Sequence, residues 1–221
     1  MRIVVTGSNR GLGLEFVRQC LGRGDTVLAC CREPHAADEL NALARESLTV
    51  LPLDVANADS AATLTEAVGG PVDLLVNNAG IYGEEPQTVA AADPERLMRV
   101  LRVNVAGPLA VLKALTPHLQ AGSKVLNMSS GYGSIANAAG GWPMDYCCSK
   151  AALNMLTRID ATELPGPVVC MSPGWVRTDM GGENADLSPE ESVRGMLRVM
   201  DTVTAAESGT FRRYDGSSVP W

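Results

Sequence analysis

The chain has 221 residues, 46% of them hydrophobic, and a formal net charge of −7. A pI near 4.9 argues against a nucleic-acid binder, which needs a basic face, and a mean hydropathy of +0.05 fits a packed core better than a disordered chain. The apolar run Ile3-Val4-Val5 is too short for a signal-peptide core or a membrane span, so a cytoplasmic protein with reduced thiols is expected.

In chain order, Arg2–Thr6 reads as a strand, and residues 11–23 carry Leu12, Phe16, Val17 and Cys20 at helical spacing. Thr26–Cys31 is a second strand. Pro34 breaks the chain, and 35–46 reads as a helix with Leu40 and Leu43 on one side. A strand at 48–53, an Ala-rich helix at 57–68 and a strand at 72–76 come next. A long helical stretch spans 93–119, opened by Asp93-Pro94, with a kink or boundary expected at Pro108. Then come a strand at 124–128, a helix at 143–163 and a strand at 167–171. The capping box Ser188-Pro189-Glu190-Glu191 opens a helix to about residue 200, and 210–214 is a final strand. Repeated βα units predict one α/β domain, residues 1–221, with a seven-stranded, mainly parallel sheet covered by helices on both faces. Ligands in such sheets sit beyond the carboxyl ends of the strands.

The segment after the first strand, Gly7-Ser8-Asn9-Arg10-Gly11-Leu12-Gly13, places three glycines in a tight turn entering a helix. Without Cβ atoms they let the backbone approach a pyrophosphate, and the helix start offers free N–H groups. The second strand ends in Arg32 where an NAD site usually carries an acid. Arg32, flanked by Arg10, can pair with a 2′-phosphate, so NADP(H) is favoured over NAD(H), although Glu33 argues the other way.

Tyr146 and Lys150 stand four residues apart on a predicted helix, sharing one face with Cβ atoms about 6 Å apart. A nearby cation favours tyrosinate and is expected to lower the phenol below its usual value of about 10. Such a phenol can exchange protons with an alcohol or carbonyl oxygen.

These pieces resemble the short-chain dehydrogenase/reductase family over essentially the whole chain. Thr6 to Gly13 resembles its cofactor loop, Asp54-Val55 its adenine-contact pair, and Asn77-Asn78-Ala79-Gly80 its N-N-A-G signature. Asn104, Ser129-Ser130 and Pro173-Gly174-Trp175-Val176-Arg177-Thr178 come after these in matching order. The ending is similar to the C-factor and sniffer-type carbonyl-reductase branch, which keeps open a cofactor-binding signalling role with little turnover.

The resemblance implies a Rossmann-type, doubly wound sheet of order 3-2-1-4-5-6-7. It also implies hydride transfer between nicotinamide and a carbonyl or alcohol carbon of a small molecule, in a homodimer or homotetramer. Tyr146 would be the general acid/base, and Lys150 would lower its pKa and hold the nicotinamide ribose. Ser130, chosen over Ser129, would bond the substrate oxygen, and Asn104 would continue the proton path. Asn78, Ala79 and Gly80 would support the ribose, and Pro173, Gly174, Val176 and Thr178 the carboxamide. The 16 residues separating Ser130 from Tyr146 exceed the family's usual spacing, so residues 133–143 should bulge at the site mouth.

Tyr82, Ile135, Trp142, Trp175 and Met180 are candidates for the pocket lining. The six cysteines have neither a zinc spacing nor a C-x-x-C motif and are expected to be small core residues, with no metal site. His35 and His118 are expected at the surface.

Overall fold

A computed structural model describes residues 1–221. Its strands are β1 (Arg2–Thr6), β2 (Thr26–Cys31), β3 (Leu48–Pro52), β4 (Val72–Asn77), β5 (Leu119–Met128), β6 (Val168–Ser172) and β7 (Phe211–Arg213). They form one sheet in the order β3-β2-β1-β4-β5-β6-β7, parallel at every pairing. The helices are α1 (Gly11–Gly22), α2 (Asp38–Asn41), α3 (Ala58–Ala62), α4 (Leu64–Ala67), α5 (Pro94–Leu101), α6 (Gly107–Leu115), α7 (Met144–Glu163) and α8 (Pro189–Thr202). The strand order changes direction between β1 and β4, where an open α/β sheet forms its ligand crevice.

Alternation along β1 shows why both faces are covered. Ile3 and Val5 join the apolar cluster of Phe16, Val193 and Met196, under α1 and α8. Val4 faces the other way, into the cluster of Leu75, Val111 and Leu115 under α6. No helix is long and apolar enough to cross a membrane.

Six expectations change. The helix expected at 35–46 shrinks to a 3-10 turn, Pro34–Ala36, and the single turn α2. After α2 the chain continues in tighter turns, the Leu43 and Ala44 N–H groups donating to the carbonyls of Leu40 and Asn41, each at 3.0 Å. The 57–68 helix breaks into α3 and α4 at Thr63, whose hydroxyl bonds back to the Ser60 carbonyl at 2.8 Å.

In the long stretch the irregularity lies one turn before Pro108, as a π turn at Arg102–Ala106. Pro108 has no N–H to give the carbonyl four residues earlier, which belongs to Asn104, and its ring crowds that carbonyl. A 3-10 turn at Thr116–His118 then leads into β5, which starts five residues earlier than expected, at Leu119 rather than Lys124. His118 is half-buried, its ring nitrogens 3.0 and 2.9 Å from the carbonyls of Gly70 and Thr65. Cys20, Cys30, Cys31 and Cys170 are buried, but Cys147 is half-buried and Cys148 exposed, so those two are not core residues.

Candidate active site

The loops singled out in the sequence meet at the carboxyl edge of the sheet. The Thr6 hydroxyl accepts from the backbone N–H groups of Asn78 and Ala79, each at 3.0 Å. Asn78 Nδ2 donates to the carbonyls of Thr6 and Gly7 at 2.9 and 3.1 Å. These four bonds clamp the glycine loop to the loop after β4. The approach is so close that a Cβ on Gly7 (φ +67°) would stand 2.9 Å from Ala79 Cα, and one on Gly13 would stand 2.1 Å from the Gly7 carbonyl oxygen. Ser8 is buried, its hydroxyl bonded to the Val5 carbonyl at 2.6 Å, while Asn9 and Arg10 are exposed and Leu12 packs onto the core.

The start of α1, at Gly11, has no side-chain cap and no acid in its first turn, whereas Ser188 and Glu191 close the start of α8. Open N–H groups beside a glycine turn fit the pyrophosphate of a dinucleotide. Arg10 turns to Asp179, Nη1 to Oδ2 at 2.5 Å, and not to Arg32, which is exposed and makes no ion pair. The Arg10–Asp179 pair is 68% and 74% exposed, so it contributes about 1 kcal/mol at most and yields readily to a phosphate.

The Asp54 carboxylate is exposed and accepts from the Ala56 N–H at 3.0 Å. The Val55 side chain is buried against Gly107, where a Cβ would lie 3.0 Å from it. In the loop after β6, Gly174 has φ +82°, and Val176 is buried and bridged to Leu187. Thr178 meets the glycine loop: a Cβ on Gly11 would lie 3.6 Å from its methyl group.

Tyr146 and Lys150 lie one turn apart on α7, 8% and 4% exposed. Lys150 Nζ is 5.5 Å from the phenol ring centre and donates to the Met128 carbonyl at 2.7 Å. Gly80 lies between Lys150 and Asn104: a Cβ on it would stand 3.6 Å from Nζ and 3.2 Å from Asn104 Oδ1. Asn104 is fully buried in the π turn. Its Oδ1 accepts from the Ile81 N–H at 2.8 Å, and its Nδ2 donates to the Ile81 carbonyl at 2.8 Å and the Ser149 hydroxyl at 2.9 Å. Ser130 caps a 3-10 turn, Gly131–Gly133, by accepting from the Tyr132 N–H at 3.2 Å. Ser129 is buried and donates to Asn154 Oδ1 at 2.6 Å.

Burial pushes the Tyr146 phenol up to about 12, against an opposing pull from the neighbouring Ser130 hydroxyl. Burial likewise pushes Lys150 down to about 8. The expected lowering of the phenol by Lys150 is therefore overturned. Removing the ring from water is the largest cause of the shift, and Lys150 is itself desolvated and engaged by a carbonyl.

Two cavities lie near Tyr146, reached through the rings of Tyr132 and Tyr82, and neither has Tyr146, Lys150 or Ser130 in its wall. The larger, about 690 Å³, is bounded by residues 87–89, the 132–142 loop and α7, and includes Ile135, Trp142, Cys147 and Cys148 in its wall. Tyr132 separates it from the phenol, its ring centre 4.8 Å from Trp142 and 6.2 Å from Tyr146. The smaller, about 440 Å³, is lined by Arg10, Gly80, Tyr82, Asp179 and Met180, with the Tyr82 ring 5.0 Å from Tyr146. Trp175 lines neither cavity, and its indole N–H donates to the Gly181 carbonyl at 2.7 Å.

Three features escaped the sequence reading. Tyr132 could have been noticed as an aromatic two residues after Ser130. Gln87 is buried, donating to the Tyr82 carbonyl at 3.0 Å and accepting from the Tyr146 N–H at 3.1 Å, and nothing in its local sequence marks it. Arg96 and Asp145 form a buried ion pair joining α5 to the first turn of α7, next to Tyr146.

The family profile described as short chain dehydrogenase matches residues 1–188. The chain is 42% identical over 162 residues to C-signal of Myxococcus xanthus, covering 71% of this chain and 97% of that one. Among solved structures, it resembles an NADPH-bound carbonyl reductase from chicken fatty liver (34% identity, TM-score 0.93, 100% of this chain and 98% of that one). It also resembles the carbonyl reductase Sniffer of Drosophila melanogaster (30% identity, TM-score 0.94, 100% and 99%).

Proposed function

The chain belongs to the short-chain dehydrogenase family, and on that footing we propose that it is an NADP(H)-dependent carbonyl reductase acting on a small molecule, with residues 1–221 working as one dinucleotide-binding domain. One observation carries this reading: a buried tyrosine–lysine pair lies at the carboxyl edge of the sheet, beside an uncapped helix start behind a glycine turn. Gly7 to Gly13, Asp54, Val55, Asn78, Ala79, Gly80 and the Pro173, Gly174, Val176, Thr178 segment would hold the dinucleotide, with Arg10 and Arg32 on the 2′-phosphate. When bound, the reduced cofactor supplies a hydride.

The residues of the chain supply the proton. At neutral pH the Tyr146 phenol carries its proton, the form in which it acts as the general acid in carbonyl reduction. Ser130 bonds the same substrate oxygen and steadies the charge that develops on it. Lys150 faces the resulting tyrosinate, and Asn104 orders the backbone at Ile81 on the path by which the proton returns. An NADPH-bound neighbouring structure supports the cofactor assignment, as does Arg32 at the end of β2, where an acid would favour NAD. Self-association into a homodimer or homotetramer through α5–α6 and α7 completes the proposal.

The test monitors absorbance near 340 nm with NADPH and a panel of ketones, aldehydes and quinones. Tyr146→Phe is expected to lower turnover by about 100- to 10,000-fold with NADPH binding kept. Arg10→Ala and Arg32→Ala should each weaken NADPH relative to NADH, and an unchanged preference in both overturns the cofactor choice. Similarity to C-signal favours a second reading, a cofactor-binding signal protein. Tight NADPH binding without turnover of any carbonyl would select it.

A further inference from the structure

Residues 217–221 double back along the edge strand. Ser218 bridges antiparallel to Arg212, the Arg213 N–H donates to the Ser217 carbonyl at 2.8 Å, and the Val219 N–H donates to the Phe211 carbonyl at 2.9 Å. Val219 is buried with Phe211 and Cys170 in a small apolar cluster. The Trp221 indole stacks on Phe211, ring centres 5.7 Å apart at 30°, and the Arg158 guanidinium of α7 lies 5.9 Å from it. Stacking and cation–π contact together fix this residue against β7 and α7.

From that anchor the main chain reaches the loop after Ser130. The Ser134 hydroxyl donates to the Pro220 carbonyl at 2.7 Å, and the Ala136 N–H donates to the Trp221 carbonyl at 2.7 Å. Ser134 is almost fully buried, and its hydroxyl also accepts from the Asn137 N–H at 3.2 Å. From Ser134 to Trp142, hydrogen bonds that reach beyond the loop's own turns go only to Pro220 and Trp221. The sequence Ala138-Ala139-Gly140-Gly141 has little means of holding one shape unaided, because glycine leaves the backbone its full freedom. Yet this loop is a wall of the 690 Å³ cavity beside the phenol, through Ser134, Ile135 and Trp142.

We propose that residues 217–221 form a strap that holds the 134–142 loop in place. Ser134 and Trp221 are thus positioning residues that fit the site to bulky apolar carbonyl compounds, whose tails occupy the cavity. This rests on the reading of Tyr146 as the acid of a carbonyl reductase. The hydrogen bonds of residues 217–221 go to β7, Asp215 and the 134–136 segment and none to the dinucleotide loops, so the strap acts on the carbonyl substrate and leaves the cofactor alone.

The experiment compares wild type with Trp221→Ala, Trp221→Phe, Ser134→Ala and Ser134→Thr by two readouts. One is amide hydrogen exchange over residues 131–142. The other is kinetics with propiophenone and diacetyl, alongside NADPH affinity. Trp221→Ala and Ser134→Ala should exchange faster across the loop. They should raise KM for propiophenone about tenfold, the equivalent of one lost hydrogen bond. Diacetyl turnover and NADPH affinity should change less than about twofold, and Trp221→Phe and Ser134→Thr should restore the wild-type values.

Unchanged exchange in Trp221→Ala overturns the strap whether or not the protein turns over. Equal losses on both ketones, together with weakened NADPH binding, overturn its role in selectivity. Absence of turnover by wild type defeats the reductase reading instead, and exchange alone then decides the strap.

Discussion

At the scale of residues, Tyr146 and Lys150 have moved apart in proton affinity, the phenol up to about 12 and the ammonium down to about 8. For Lys150, the native state holds fewer protons than the unfolded chain between about pH 8 and the ordinary lysine value of 10.5. Its burial therefore destabilises the fold in full below pH 8 and is relieved as pH rises. Lys150→Met should raise stability at pH 7 by about 1–3 kcal/mol, each displaced pKa unit being worth about 1.4 kcal/mol less the lost bond to Met128. The gain should shrink between pH 8 and 10.5, read from urea midpoints, while activity is lost. In wild type, kcat/KM for NADPH in the reductive direction should fall with an apparent pKa near 8 as Lys150 loses its charge. The pairing of Tyr146 with Lys150 could be read from a four-residue spacing. Their proton affinities could not, because they depend on Tyr82, Tyr132 and the Met128 carbonyl, which the fold brings in from elsewhere.

Among elements, those with self-contained signals were readable. Short apolar runs marked β1 and β2, and the Ser188–Glu191 box marked the start of α8. Elements set by a partner were not. The chain between α2 and β3 runs in turns rather than helix, and its last residue, Ser47, bonds to Val27 of β2. The π turn sits at Asn104 and not at Pro108 itself, because the proline acts on the carbonyl behind it. The 3-10 turn after Ser130 belongs to this class, since it is pressed on α7. A Cβ on Gly133 would lie 2.9 Å from Asn154 Nδ2 and 3.0 Å from the Lys150 backbone. Gly133→Ala should lower stability by about 1–3 kcal/mol and reduce kcat by shifting Ser130. Gly140→Ala, whose added methyl would meet nothing within 4 Å, should leave both unchanged and serves as the control in thermal melts and initial-rate assays.

For the whole molecule, alternating strands and helices foretold the sheet, and the order of the motifs matched the order in which its loops reach one edge. The closure of residues 217–221 onto 134–136 was hidden, because main-chain carbonyls made those bonds and a sequence does not display them. Met98 and Leu109 on α5 and α6, and Met155 and Ile159 on α7, stay exposed. Light scattering should therefore give a dimer or tetramer, and Met155→Lys combined with Ile159→Lys should give a monomer. A monomeric wild type would remove these helices as an assembly face. At the opposite edge of the sheet the Met1 amino group rests on Asp25, Nα to Oδ1 at 2.9 Å, remote from every loop that carries chemistry. The two ends of the sequence are thus unequal places to add a purification tag or a fluorescent fusion. Cargo hung on Met1 leaves the cleft as it is, whereas cargo hung on Trp221 tugs on the wall of the larger cavity and would distort any measured selectivity.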